Sequence, residues 1–431
     1  MNRSFCSGAT AALTLSLLAA PAWADTIKVP SGEIETIQDA VNAASPGDTI
    51  AISSGDYFEN VVVPPGLDGL TLTGKGKVYL NGFSAPDAPE GNSDGILVQS
   101  NGVTISKLTI RHSNSYGIRA FGFVADAGGT VPLEGIRVDK VTFVNNDSGA
   151  VNLQVHDAEM LNCNAIGNDG GIDISGDRAK VTKCRIDIVD GIGIEVGDGT
   201  DHVVENNRVT STDGIGIEVD GNNSRVTKNI VDSPCDDGMD IDGDNVLVSS
   251  NSVSNVPNDA DGIVVDGTAV RIEKNKGSRA QEEGYNLSVS DSFITKNSAD
   301  QCGGEDECGM RISGNDNEIS GNKATNCDTT GIDVAGDDNL VSKNKCSGNT
   351  DNGIVVSGGI ESTGNVLEGN NVSGNWGDGI ENSGSGTVLR KNKVKGNMQD
   401  ISNRTGAGAS IDDQGGNAFS TGGFDVEPIV S

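Results

Sequence analysis

Asp173, Glu195, Glu218 and Asp240 stand 22 or 23 residues apart, each in a Gly-apolar-acid-apolar segment such as Gly193-Ile194-Glu195-Val196 or Gly216-Ile217-Glu218-Val219. If units of that length stack, the four carboxylates form one column with a rise of roughly 4.8 Å per unit. Like charges that close repel by about 1 kcal/mol in bulk water and by several times that near a protein surface. Such a column calls for bound cations or for some members to stay protonated. Flexible, multidentate oxygen surroundings suit Ca2+, which makes these four residues the candidate metal ligands and Ca2+ the candidate cofactor. The turns just before the same segments carry Asp169, Asp190, Asp213, Asp236, Asp237 and Asp261, a second set of acids in adjacent columns. Asp240, Asp242 and Asp244 also form a D-x-D-x-D run, yet Asn245 and Asn251 stand where an EF-hand loop needs glycine and glutamate. The competing reading of all these acids is a solvated face on an acidic protein.

The largest interruption of the spacing, between Gly117 and Gly149, contains Phe121 and Phe123 close to Tyr116 and Arg119. Loops projecting from a rigid stack carry function disproportionately. In a chain with 3% aromatic residues, these four are the candidate substrate-binding cluster. They would offer flat apolar faces to a ligand, or shield the core beneath the loop. Trp376, the only tryptophan besides Trp23, sits in another expanded unit.

Positioning such residues requires a repeat. A glycine, an apolar residue, any residue and usually another apolar one recur from Gly95-Ile96 through Gly149-Ala150 to Gly379-Ile380, most often 22 residues apart. A second column keeps the same register: Asn162, Asn207, Asn229, Asn251 and their successors to Asn392, with Cys184 filling one gap. Asparagine tolerates left-handed turns, and stacked copies can pass amide hydrogen bonds from unit to unit. Twenty-two residues suit one coil of three short strands, and the alternation in Ile217-Glu218-Val219 puts apolar residues inward. The predicted fold is all-β, a single-stranded right-handed parallel β-helix with a short N-terminal capping helix. Glu33 to Ala44 gives that helix, with Ile34, Ile37, Val41 and Ala44 on one face. Residues 25–94 form the cap and first coils, 95–404 the repeats, and 405–431 a C-terminal cap with Phe419, Phe424 and Ile429 as plugs.

Composition agrees. With 60 Gly and few aromatic residues, no core can be assembled from large side chains distant in sequence. Lys and Arg number 30 against 62 Asp and Glu, and a net charge of −32 excludes nucleic acid as a partner. Residues 1–24 read as an export signal, with Arg3, an apolar run from Ala11 to Ala20 and the Ala22-Trp23-Ala24 cleavage pattern. No later run reaches the roughly 18 apolar residues of a membrane span. Beyond the leader remain Cys163, Cys184, Cys235, Cys302, Cys308, Cys327 and Cys346. An odd count leaves at least one without an intramolecular partner, and no spacing suits zinc.

The segments Thr36-Ile37-Gln38-Asp39-Ala40-Val41, Pro46-Gly47-Asp48-Thr49-Ile50 and Gly55-Asp56-Tyr57-Phe58-Glu59, followed by the repeats, resemble the pectin-lyase-like β-helix superfamily over nearly the whole chain after the leader. The resemblance implies the fold and a polysaccharide partner. It says little about chemistry, because hydrolases, lyases, epimerases, esterases and non-catalytic binders share that fold. Ser211-Thr212-Asp213 and Cys235-Asp236-Asp237-Gly238 are similar to the N-T-D and G-D-D segments of polygalacturonase-like hydrolases. This implies Asp213, Asp236 and Asp237 as candidate catalytic residues of an inverting glycoside hydrolase. No G-H-G segment follows, and Arg271-Ile272-Glu273 replaces R-I-K. An epimerase-like D-P-H-D is reduced to His156-Asp157, and a lyase-like reading would draw its base from Arg119, Arg178, Lys180 or Arg185. The expectation is an exported protein, periplasmic or extracellular, that binds or modifies a polysaccharide, uronate-containing polymers included, with the help of Ca2+. The alternatives are a non-catalytic surface, structural or accessory protein that uses the solenoid as an interaction surface, and the hydrolase.

Overall fold

The computed structural model describes residues 24–82, 93–124, 130–304, 307–404 and 409–420. Residues 1–23 of the expected export signal and the expected plugs Phe424 and Ile429 lie outside them. Across the described residues the chain winds as a parallel β-solenoid whose coils each contribute three short strands, as in Val203–Glu205, Arg208–Thr212 and Ile217–Asp220. One strand per coil enters a 16-stranded sheet running from Val61–Val63 to Ile401–Asn403. The other two columns are joined through the long early strand Thr71–Asn81, which pairs with both Thr104–Ser106 and Thr109–Arg111.

Period-two alternation within each strand sends Ile194, Ile217 and Met239 inward in one file and Val196, Val219 and Ile241 in the next. All six are at most 1% exposed. Burying each such side chain is worth about 1.5–3 kcal/mol, so identical neighbours on successive coils replace the large side chains that the sequence lacks. The glycine that opens each unit is required by close approach. A Cβ on Gly238 would lie 2.2 Å from Val253 Cγ1 and 2.4 Å from the Gly262 carbonyl oxygen.

The asparagine column is one of the main polar supports. Asn229 donates from Nδ2 to the Val204 carbonyl at 2.8 Å and to Asn251 Oδ1 at 3.2 Å, and its backbone N–H donates to the same Oδ1 at 2.9 Å. The pattern repeats up to Asn392, whose N–H and Nδ2 both donate to Asn417 Oδ1. Two expectations about this column need correction. Asn162 is not a member; Cys163 occupies the ladder position beneath Cys184, whose N–H donates to Asn207 Oδ1 at 2.8 Å. The left-handed residue is the one before each rung, Lys183, Asn206 and Lys228 with φ near 56–59°, and Asn162 with φ 54° belongs to that set. The corner is turned by the preceding residue, which frees the asparagine side chain to point inward.

The Gly149-Ala150 unit is also displaced. Val151, not Ala150, pairs with Ile118 and Ile172, because Gly149 (φ 148°) takes up an extra residue at the return from the insertion. The N-terminal helix spans Ile37–Ala43 and begins later than expected. Thr36 caps it reciprocally with Asp39, and the Glu59 carboxylate accepts the Ile37 and Gln38 N–H groups at 2.9 Å each. Ile37, Ala40 and Val41 cover the first coil, with Ile34 and Ala44 packed at the margin. At the far end Ile411–Asp413 and Ala418–Phe419 pair with the preceding coil, so the stack continues past residue 405. Phe419 packs against the core. No described helix is long and apolar enough to cross a membrane.

Candidate functional site

The 16-stranded sheet presents one flat face to solvent, and the register places the candidate metal ligands on it in file. Asp173 pairs with Glu195, Glu195 with Glu218, and Glu218 with Asp240. Toward one end the file continues through Asn152 to Arg119, and toward the other through Val264 and Asn286 to Arg311. Two residues further along the same strands lies a parallel file that the sequence reading missed. Asp220 pairs with Asp242, and Asp242 with Asp266. Its signal was the next outward position in Ile217-Glu218-Val219-Asp220 and Met239-Asp240-Ile241-Asp242.

Crowding shows in the proton affinities. Partial burial, and then the neighbouring Asp173 and Glu218, push Glu195 up to about 7. Burial, followed by Asp242 and Asp237, pushes Asp240 up to about 7. Asp173, Glu218, Asp220 and Asp242 are all raised, with burial the first cause in each. At neutral pH Glu195 and Asp240 are therefore each partly protonated.

The four ligands expected for Ca2+ do not converge on one point; they offer one carboxylate per coil along the axis. Three carboxylates converge elsewhere, where Asp261, Glu282 and Glu283 bring ligand atoms within 4.8 Å of one another. That cluster already holds a cation, because Arg311 pairs with Glu283 and with Glu307. Asp261 is spent on the Glu283 N–H at 2.8 Å and on Asn286 Nδ2 at 2.8 Å.

The insertion brings most of the candidate substrate cluster together. Phe123–Val124 and Thr130–Val131 form a small antiparallel pair above the coil. The Arg119 guanidinium lies 4.9 Å from the Phe121 ring centroid and 6.0 Å from that of Tyr116. Arg119 Nε is buried with no hydrogen-bond partner among the described residues. The Phe123 side chain lies outside what the structure describes. Next to this cluster, Asn152 Nδ2 donates to Asp173 Oδ2. A cavity of about 200 Å3 is lined by Tyr116, Asp169, Asp173 and Glu195, over the backbone of Gly149, Gly170, Gly171 and Gly191. A second cavity of about 410 Å3, under Gly122 and Pro132, is lined by Gln154, His156, Ser175 and Asp198. The Asn152–Asp173 file passes between the two.

Asp213, Asp236 and Asp237 lie on adjacent coils at the turn edge of the same sheet. Asp213 and Asp236 are exposed, and Asp236 Oδ1 accepts the Asp237 N–H at 3.0 Å. Burial pushes Asp237 up to about 6, while its Oδ1 accepts the Asp261 N–H at 2.7 Å. All seven cysteines from Cys163 onward are unpaired thiols, and Cys235 is the exposed one.

The family described as right handed beta helix region matches residues 94–255, 197–334 and 261–422. No curated protein matches the chain. Among solved structures, the A-module of mannuronan C-5 epimerase AlgE6 from Azotobacter vinelandii is 13% identical, covering 89% of this chain and 93% of its own, with a TM-score of 0.43. The catalytic unit of the alpha-1,3-glucanase from Streptomyces thermodiastaticus is 16% identical over 94% of this chain and 70% of its own, at 0.46. Tailspike protein 3 of bacteriophage CBA120 is 14% identical over 89% of this chain and 58% of its own, at 0.48. Likeness of this degree concerns the winding of the backbone alone. The overlapping family matches follow the same repeats that build the coils, and from residue 94 to residue 422 the chain belongs to the right-handed β-helix region family.

Proposed function

We propose that the sheet face from Tyr116 to Asp240 binds a uronate-containing polysaccharide, with Ca2+ bridging ligand carboxylates to the acidic files. The observation that carries this reading is the cavity where Tyr116, Asp169, Asp173 and Glu195 meet over bare glycine backbone. Tyr116 supplies an apolar ring with a polar tip, suited to a sugar face and its hydroxyls. Glycine lets a ligand approach the main chain closely. Alone, the carboxylates would repel an anionic polymer; a divalent cation between rungs is the largest local charge and inverts that sign. The leader-like start of the sequence fits a ligand met outside the cytoplasm.

Modification of the polymer is a second reading, favoured by Glu195. A carboxyl group titrating at about 7 inside the cavity is suited to give or take a proton at neutral pH.

Calorimetric titration with oligogalacturonates and oligomannuronates, with and without Ca2+, tests the first reading. Binding is expected only with Ca2+, and Tyr116→Ala or Asp173→Asn should each weaken it about tenfold, equivalent to about 1.4 kcal/mol. Binding that ignores Ca2+, or no binding at all, overturns it. Assays for reducing ends and for the ultraviolet absorbance of unsaturated ends decide the second reading; binding with both assays silent leaves a binder.

A further inference from the structure

On most coils the turn before the sheet strand holds a residue whose N–H donates to the coil before, Pro257 taking that place on one coil without an N–H to give. Asp169 donates to Asn146, Asp213 to Val189, Gln281 to Val256, Asp328 to Cys302 and Trp376 to Asn349. These residues therefore stand in one file, with Asp169 in the Tyr116 cavity at one end and Trp376 nine coils later at the other. At roughly 4.8 Å per coil the two ends are about 43 Å apart. Trp376 is 76% exposed, and Met398 on the next coil is 79% exposed. Midway, a cavity of about 580 Å3 is lined by Pro257, Arg279, Gln281, Gln301 and Asp328. Arg279 is exposed and forms no ion pair among the described residues, in a chain with 62 acids and 30 basic residues.

We propose that this edge is one extended groove for a linear uronate polymer, with Arg279 as a central carboxylate-binding subsite and Trp376 as a distal stacking platform. The inference rests on the polysaccharide reading above and extends it by assigning a ligand length and polarity. An exposed indole beside Met398 is an apolar surface that a sugar ring can cover, and such stacking adds to the area it buries. Arg279 offers a planar guanidinium to a carboxylate, the charge that neutral sugars lack and uronates repeat along the chain. Ca2+ near Asp173 and Arg279 further along would then hold two different units of one polymer.

Trp376 supplies the readout, since it is the sole tryptophan from Asp25 onward. The chain from Asp25 is titrated, in Ca2+, with oligogalacturonates and oligomannuronates shorter and longer than about 43 Å, and with neutral glucan oligomers of the longer length. Long uronates are expected to shift the tryptophan emission and to bind on the order of tenfold more tightly than short ones. Trp376→Ala should remove that excess while short oligomers bind as before, with an unchanged melting temperature. Arg279→Gln should weaken long uronates and leave short ones alone. Equal affinity at both lengths with unmoved emission overturns the extended groove, yet leaves the Tyr116 site standing if Tyr116→Ala weakens binding. Preference for neutral oligomers, or an emission shift that follows protein concentration rather than ligand, overturns it too. If no oligomer of any length binds, both readings fall.

Discussion

Glu195 and Glu218 face the same way on adjacent strands, held there by Ile194 against Ile217 and Val196 against Val219 on the opposite side of the backbone. The two carboxylates cannot draw apart without sliding that core out of register, and a one-residue slip would send both acids inward. The repulsion is therefore built into the fold. Together with partial burial, which is the larger cause, it raises Glu195 to about 7, and proton uptake relieves it.

This relationship gives a pH dependence with a definite sign. Glu195 has an unperturbed value of 4.5 and Asp240 one of 3.8, and both are raised to about 7 in the fold. A raised carboxyl group contributes stability that is fully present below its unfolded value and is lost as pH rises through its folded value. The loss should fall between about pH 4 and pH 7. Glu195→Gln is expected to raise the melting temperature at pH 8 by a few degrees, on the scale of about 1 °C per kcal/mol for a chain of this length, and by much less at pH 5. Millimolar Ca2+ should stabilise the parent chain at pH 8 by mass action, less so at pH 5, and less in the variant. Calorimetric melts at the two pH values check this; a variant indifferent to pH, or a parent indifferent to Ca2+ at pH 8, would sink it.

What was legible in the sequence follows from two periods. The strand alternation and the 22-residue repeat together place Asp173, Glu195, Glu218 and Asp240 in file, and the pairings agree. Where one period breaks, the reading slips by a residue: Gly149 absorbs an extra residue before Val151, and Cys163 rather than Asn162 takes the ladder position. Neither shift changes the composition of its segment, so nothing in the letters marks it. The Asp220–Asp242–Asp266 file obeyed the same alternation and was legible to anyone who carried it one step further. The capture of Glu283 by Arg311 was not. It joins a turn residue to a strand residue of the next coil, a diagonal that neither period encodes.

The asparagine ladder should dominate local stability where it is unbroken. Asn275 receives the Asn251 N–H at 2.9 Å and Nδ2 at 3.1 Å, and donates to the Val248 carbonyl at 2.9 Å and to Asn297 Oδ1 at 3.1 Å. Asn275→Ala removes these partners inside a buried corner, and each buried group left unpaired costs about 1–3 kcal/mol. A loss of roughly 3 kcal/mol or more is expected. Asn255→Ala, at an exposed residue whose Nδ2 donates to Asp232 Oδ1, should cost about 1 kcal/mol or less. Urea titrations of the two variants compare them directly, and equal midpoints would contradict the structural role of the ladder.

Cys235 offers a chemical test of the stacking itself. It is exposed, whereas the other six cysteines from Cys163 onward are at most 3% exposed, so in the chain from Asp25 a thiol reagent should label one cysteine in the native state and seven after unfolding. Its N–H donates to the Thr212 carbonyl of the coil below, which sets its thiol beside the Asp213 carboxylate. Burial first, and then that carboxylate, raise the Cys235 thiol above its usual value and keep it protonated near neutral pH. Only the thiolate reacts, so native labelling should be slow at pH 7.5 and accelerate as pH rises. Asp213→Asn removes the neighbouring charge and should speed labelling several-fold at pH 7.5, with little change once the thiol is fully ionised. A labelling rate indifferent to this substitution would mean that Asp213 and Cys235, 22 residues apart in the chain, are not neighbours in space.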